Sequence, residues 1–170
     1  MNLLELILLI FPAYVSNSIP VVLGGGKKID PPGKTIFGES KTIRGFIAGV
    51  VFGTLAGISL AILLGTYYLP EASIETKIAL SFLIALGAML GDLAGSFIKR
   101  LRGLPSGYPS ASLDQLPFII IALALAGAYY PRLWELLSWQ GFVVILAVTY
   151  VLHLIFNLVA HSLHLKKVPW

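Results

Sequence analysis

The chain has 170 residues, of which 57% are hydrophobic and 12% charged, with a net charge of +4 and a mean hydropathy of +0.88. This is too apolar for a soluble domain of that size and reads as an all-α, polytopic integral membrane protein with a single membrane domain over residues 1–170. Cysteine is absent, which excludes disulfides, thiolate metal ligands and thiol catalysis; the positive charge calls for no nucleic-acid partner, because basic loops beside a membrane face anionic headgroups.

About 20 apolar residues cross a bilayer, and five such runs are predicted, at residues 3–23, 45–69, 77–98, 113–130 and 141–163. The first lacks a basic leader and a small-residue cleavage site and is expected to be a retained helix. Lys27, Lys28, Lys34, Lys41 and Arg44 follow the first run, Lys99, Arg100 and Arg102 follow the third, and Lys166 and Lys167 close the chain. Ten of the twelve cations therefore gather on one side. By the positive-inside rule that side is the cytoplasm. The expected topology has five transmembrane helices, the N-terminus outside and the C-terminus cytoplasmic, with cytoplasmic loops at residues 24–44 and 99–112.

In the first run, Pro12 and Pro20 leave carbonyls without intrahelical donors, so a kink beside Asn17 is expected, a protein or water neighbour is required, and Asn17 either bonds a neighbouring helix or lines the site. The loop that follows, GGGKKIDPPGKTIFGESKTIR, lacks the glycine spacing of a Walker phosphate loop, since Lys28 stands five residues before Gly33. Its sharper feature is Lys41-Thr42-Ile43-Arg44-Gly45 at the next helix start, where free backbone N–H groups, a hydroxyl and two cations suit phosphate. Glycines at 45, 49, 53 and 57, and again at 87, 91 and 95, form smooth stripes for close helix packing. Such stripes serve packing within one chain or between chains, so oligomeric state stays open.

The third run ends in LGDLAGSFIKRLRG. Asp92, Ser96 and Lys99 fall at i, i+4 and i+7, on one helix face, and Arg100 and Arg102 extend the charge. Asp114 follows a Gly/Pro/Ser-rich turn, at the same end of its own helix. An intramembrane acid is costly and is a functional candidate by default. Two carboxylates near each other suit Mg²⁺, a hard ion that completes its shell with water and substrate phosphates, and the cations beside them suit a nucleotide. In the last run His153, Asn157, His161 and His164 share a face. His153 and His161 are about 12 Å apart along a helix, too far for one zinc site, so interhelical hydrogen bonding is the expected role.

Gly91-Asp92, Ser96-x-x-Lys99-Arg100 and the downstream Asp114 resemble the signature of the membrane-bound CTP-dependent cytidylyltransferases, which include the CDP-diacylglycerol synthases. The bacterial and eukaryotic pattern continues with Lys-Asp and His-Gly-Gly before Asp-Arg; here Leu104–Pro109 and Asp114-Gln115 stand instead. Small size, the Gly24–Gly26 run, Lys41–Gly45 and the Val168-Pro169-Trp170 end resemble the archaeal, ether-lipid branch over nearly the full length. The resemblance implies that CTP and 2,3-bis-O-(geranylgeranyl)glycerol 1-phosphate give a CDP-activated ether lipid and pyrophosphate. It further implies Asp92 and Asp114 on Mg²⁺, with Lys41, Thr42, Arg44, Gly91, Ser96, Lys99 and Arg100 around the nucleotide and Arg102 toward the lipid phosphate. Two rival classes are a CTP-dependent polyprenol kinase and a small transporter whose ion path uses Asp92, Asn157 and the histidines.

Overall fold

The computed structural model describes residues 1–108 and 110–164, with the side chains of Ala111, His153, Phe156, Asn157 and Ala160 left aside; the readings placed on His153, Asn157 and the tail from Lys166 lie outside the described residues. Among the described residues six helices follow in order: α1 Leu3–Leu23, α2 Ile43–Leu63, α3 Ile74–Leu101, α4 Ala111–Gln115, α5 Pro117–Tyr129 and α6 Arg132–Ser162. Four of them are long and apolar enough to cross a membrane, and with the shorter α5 they define a polytopic membrane protein.

The fourth predicted span departs from its expected form. It divides at Leu116 into the single turn α4 and the 13-residue α5, about 20 Å of helix, because Pro117 has no N–H to continue α4 and instead starts α5 at its first position. The last span starts nine residues earlier than expected, at Arg132, and carries a break at Ser138, where φ is 56° and ψ is 165°.

α3 is the central element and packs against α1, α2 and α5. Leu9, Ile10 and Ala13 of α1, Leu80, Ile84 and Ala88 of α3, and Phe118, Ile119, Ala122 and Leu123 of α5 form the core. Large apolar side chains also cover the outside, among them Ile47, Val51, Phe52 and Leu55 of α2, as expected where the solvent is hydrocarbon.

The two glycine stripes do not face each other. Gly49, Gly53 and Gly57 receive Ser16 and Pro12 of α1 together with Met89, Ala85 and Ser81 of α3, whereas Gly87, Gly91 and Gly95 receive the backbone of α5 and of Leu113. α1 is assigned as one helix through Pro12 and Pro20. The carbonyl of Ser16, which Pro20 leaves without its donor, lies against Gly49. Close helix contact supplies the neighbour that the proline requires.

At the end of the bundle away from the loops rich in lysine, Lys77 is buried and its Nζ donates to the Gly65 carbonyl at 2.6 Å, while the Tyr68 hydroxyl meets Ser81 Oγ at 3.0 Å. Glu71 pairs with Arg132 on the surface there. An exposed pair of this kind is worth about 0–1 kcal/mol. Glu71→Ala and Glu75→Ala are therefore expected to leave turnover within about twofold of the parent, and a strong catalytic loss in either would place this end of the bundle at the reaction.

Candidate active site

α1 ends, α2 begins, α3 ends and α5 begins at the same end of the bundle, and the segments between them fold over that end. Gly103, at φ 73°, closes α3: the Leu104 N–H turns back to the Lys99 carbonyl at 3.0 Å, a helix stop that suits a residue without a Cβ. The chain then doubles back so that the Tyr108 carbonyl accepts from Lys99 Nζ at 3.3 Å. On the other side Thr42 caps α2. Its Oγ1 accepts from the Gly45 N–H at 3.1 Å and from the Gly25 N–H at 3.2 Å, which leaves its own O–H free to donate.

Between these segments lies a cleft of about 300 Å³, lined by Asn17 and Pro20 of α1, Lys41, Thr42, Gly45 and Phe46 at the start of α2, Met89, Asp92 and Lys99 of α3, and Tyr108 and Asp114. Lys41 Nζ donates to both oxygens of Asp92, at 2.7 and 2.6 Å. Lys99 Nζ holds Asp114 Oδ1, whose other oxygen accepts from the Ser110 N–H at 2.9 Å. Two ammonium groups and two carboxylates thus balance to zero inside a partly apolar cleft, beneath the positive end of α2.

The structure brings together Asp92, Asp114, Lys41, Thr42 and Lys99, and of the two readings of Asn17 it favours the one that lines the cleft. It places the other expected residues elsewhere. Gly91 faces α5: a Cβ there would collide with the carbonyl of Pro117 and the Cα of Phe118, so its contribution is helix packing. Ser96 is buried on α3 but is not among the cleft's lining residues. Arg44 turns to the outer side of α2, where with Lys27 it tops an apolar groove formed by Ile43, Ile47, Val51 and Phe52. Arg102 is exposed at the cap of α3. Arg100 is half-buried, and its Nε and Nη1 are buried without a hydrogen-bond partner among the described residues. His164 is exposed in the left-handed region at the end of α6.

Sequence spacing missed Met89, Phe46 and Tyr108 as cleft residues, because apolar positions and a backbone carbonyl carry no chemical signal. It also missed Asp30, whose neighbours in the chain are prolines and lysines. Asp92 and Asp114 offer hard oxygen donors in one cleft, and among the described residues no group of three or more His, Asp or Glu accompanies them. That donor set fits Mg²⁺, which commonly takes one or two carboxylates and fills its shell with water and phosphate oxygens.

Fold and cleft together define a helical membrane protein with a charged, polar site at one end of its bundle. Comparison with known proteins gives the particular family. The CarS-like profile of CDP-archaeol synthase matches residues 1–170. The chain is 44% identical to the CDP-archaeol synthase of Pyrococcus furiosus, over 99% of this chain and 98% of that one. It is 40% identical to the CDP-archaeol synthase of Aeropyrum pernix, over 99% and 93%. A solved structure of an intramembrane enzyme for archaeal membrane lipids biosynthesis superposes with a TM-score of 0.76 at 37% identity, covering 92% of this chain and 95% of that one. The chain belongs to the CDP-archaeol synthase family.

Proposed function

We propose that the protein condenses CTP with 2,3-bis-O-(geranylgeranyl)glycerol 1-phosphate to give a CDP-activated ether lipid and pyrophosphate, at a cleft facing the cytoplasm. The observation that carries this reading is the meeting, in one cleft, of two carboxylates and two lysines from three separate chain segments, in a chain of this family. An oxygen of the lipid phosphate forms the new bond to the α-phosphorus, and the bond from that phosphorus to the oxygen bridging to the β-phosphate breaks. A phosphate monoester is largely dianionic at neutral pH, so no protein base is needed.

Asp92 and Asp114 hold Mg²⁺, and this ion supplies charge neutralisation at the phosphates. Lys41 and Lys99 turn from the carboxylates to phosphate oxygens, joined by the Thr42 hydroxyl and the N–H groups that open α2. Arg100, whose buried Nε and Nη1 have no partner among the described residues and lie outside the cleft lining, turns into the cleft to take a further phosphate oxygen. Arg44 and Lys27, over the apolar groove on α2, meet the lipid side, and Arg102, exposed at the cap of α3, meets the lipid phosphate. Ser96 and Gly91 act through the helix that carries Asp92.

The clustering at this end of eight of the ten cations among the described residues supports a cytoplasmic cleft, an outside N-terminus and a cytoplasmic C-terminus. α5 is short of a full bilayer. The fourth crossing is completed by α4, whose Asp114 lines the cleft.

The test follows the label from α-³²P CTP in purified protein with Mg²⁺ and the ether-lipid phosphate. Label in the lipid with release of pyrophosphate is the expected result. Label remaining in free CDP beside a newly phosphorylated lipid would replace this reading with a kinase, and no turnover with any lipid would favour a transporter.

A further inference from the structure

We propose that Asp30, outside the cleft, is the positioning residue of its Lys41 wall. The Asp30 carboxylate gathers three consecutive backbone N–H groups: Oδ2 accepts from Ile36 at 3.1 Å and Gly38 at 2.9 Å, and Oδ1 from Phe37 at 2.9 Å. Gly38 sits at φ 113°, a conformation that suits glycine and that turns its N–H back to the carboxylate. Successive N–H groups aimed at one anion form a strong, charge-assisted cluster.

This cluster lies at the neck of the loop that ends in Lys41. Residues 27–29 pair antiparallel with 41–43, through Ile29 N–H to the Lys41 carbonyl at 2.9 Å and Ile43 N–H to the Lys27 carbonyl at 3.0 Å. The Lys41 N–H donates to the Gly38 carbonyl at 3.1 Å, so the backbone that Asp30 holds is also the backbone that seats Lys41. Next to Gly38, the Phe37 ring packs on Phe97 of α3 with centroids 6.1 Å apart, and the Glu39 N–H donates to Ser106 Oγ at 3.3 Å. Among the described residues Asp30 makes no ion pair with the lysines of its own loop. Its carboxylate is committed to the backbone, and through it Lys41 is delivered to Asp92 across 51 positions of sequence.

The inference rests on the reading of Lys41 as a phosphate ligand, and the experiment separates the two. CTP binding in the presence of Mg²⁺, without lipid, is measured for Asp30→Ala, Asp30→Asn, Lys41→Ala and Asp30→Ala/Lys41→Ala. Misplacing a binding group by about 1 Å costs up to about a hundredfold. Asp30→Ala is expected to weaken CTP binding about tenfold or more, and Asp30→Asn less, because the amide oxygen still accepts from Ile36 and Gly38. In the Lys41→Ala background the same Asp30→Ala change is expected to cost less than about threefold, since the two act as one unit. A larger loss there, or none in the parent, overturns the proposal.

Amide exchange in the absence of CTP reads the loop directly. Faster exchange at residues 36–43 in Asp30→Ala is expected, and unchanged exchange overturns the positioning role whatever CTP does. If Lys41→Ala binds CTP as the parent does while exchange is faster, the phosphate role of Lys41 falls and with it the consequence drawn for Asp30; the loop's dependence on Asp30 then stands alone.

Discussion

Asp92→Asn and Asp114→Asn are each expected to lose at least about a hundredfold in turnover, the scale found when a preorganised charge at a reacting centre is removed. The amide keeps the shape of the carboxylate, so α3 still packs on α5 through Gly91 and on α2 through Met89. What changes is charge. Asp92 gives both oxygens to Lys41; as an amide it keeps one acceptor, presents an N–H₂ to an ammonium and offers a poorer ligand to Mg²⁺. Asp114 serves Lys99 and the Ser110 N–H with different oxygens, so its amide must give up one of them. The variants are expected to insert and to melt in detergent within a few degrees of the parent. Parent-like turnover in either one would remove that residue from the metal assignment.

Lys99→Met is expected to weaken CTP binding by about ten- to a hundredfold while leaving the lipid substrate's KM within about threefold, because a hydrogen bond to a charged group is worth about 1.5–3 kcal/mol. Lys99 is buried near the end of α3, its side chain 9% exposed, and it bridges the Asp114 carboxylate and the Tyr108 carbonyl. Methionine preserves the stem and its packing. A role confined to filling space would therefore be rescued by methionine and lost with alanine. If both Lys99→Met and Lys99→Ala lose CTP affinity, the ammonium is the active part; parent-like affinity in Lys99→Met would end its assignment to phosphate.

Local features of the site were legible because they depend on short-range geometry. A helix places Asp92, Ser96 and Lys99 near one face whatever surrounds it; Asp92 and Lys99 line the cleft and Ser96 does not, while the capping of α2 by Thr42 emerged only with the structure. Rotation of each helix about its axis was not legible. Thr42 and Arg44 must lie about 200° apart on α2, but that Thr42 and not Arg44 would face the cleft, and that Gly91 would face α5, depended on how each helix is turned. Periodicity gives the angle between residues of one helix and not the angle at which that helix meets its neighbours. The short fourth span was equally hidden: residues 113–130 are apolar apart from Asp114 and Gln115, and hydropathy registers composition while Pro117 decides where the helix starts.

By itself the sequence determined that this chain lives in a membrane, that it is helical, and that its charge collects at one end, since hydrophobic transfer and backbone satisfaction in lipid act on composition and run length alone. Motif spacing also pointed to the family. Only the tertiary structure decided which charges meet: Lys41 with Asp92, Lys99 with Asp114, and Asp30 with the backbone that carries Lys41. Those pairings join segments up to 51 residues apart, and they exist because glycine stripes let α1, α2, α3 and α5 approach closely enough to bring separate helix ends to one cleft.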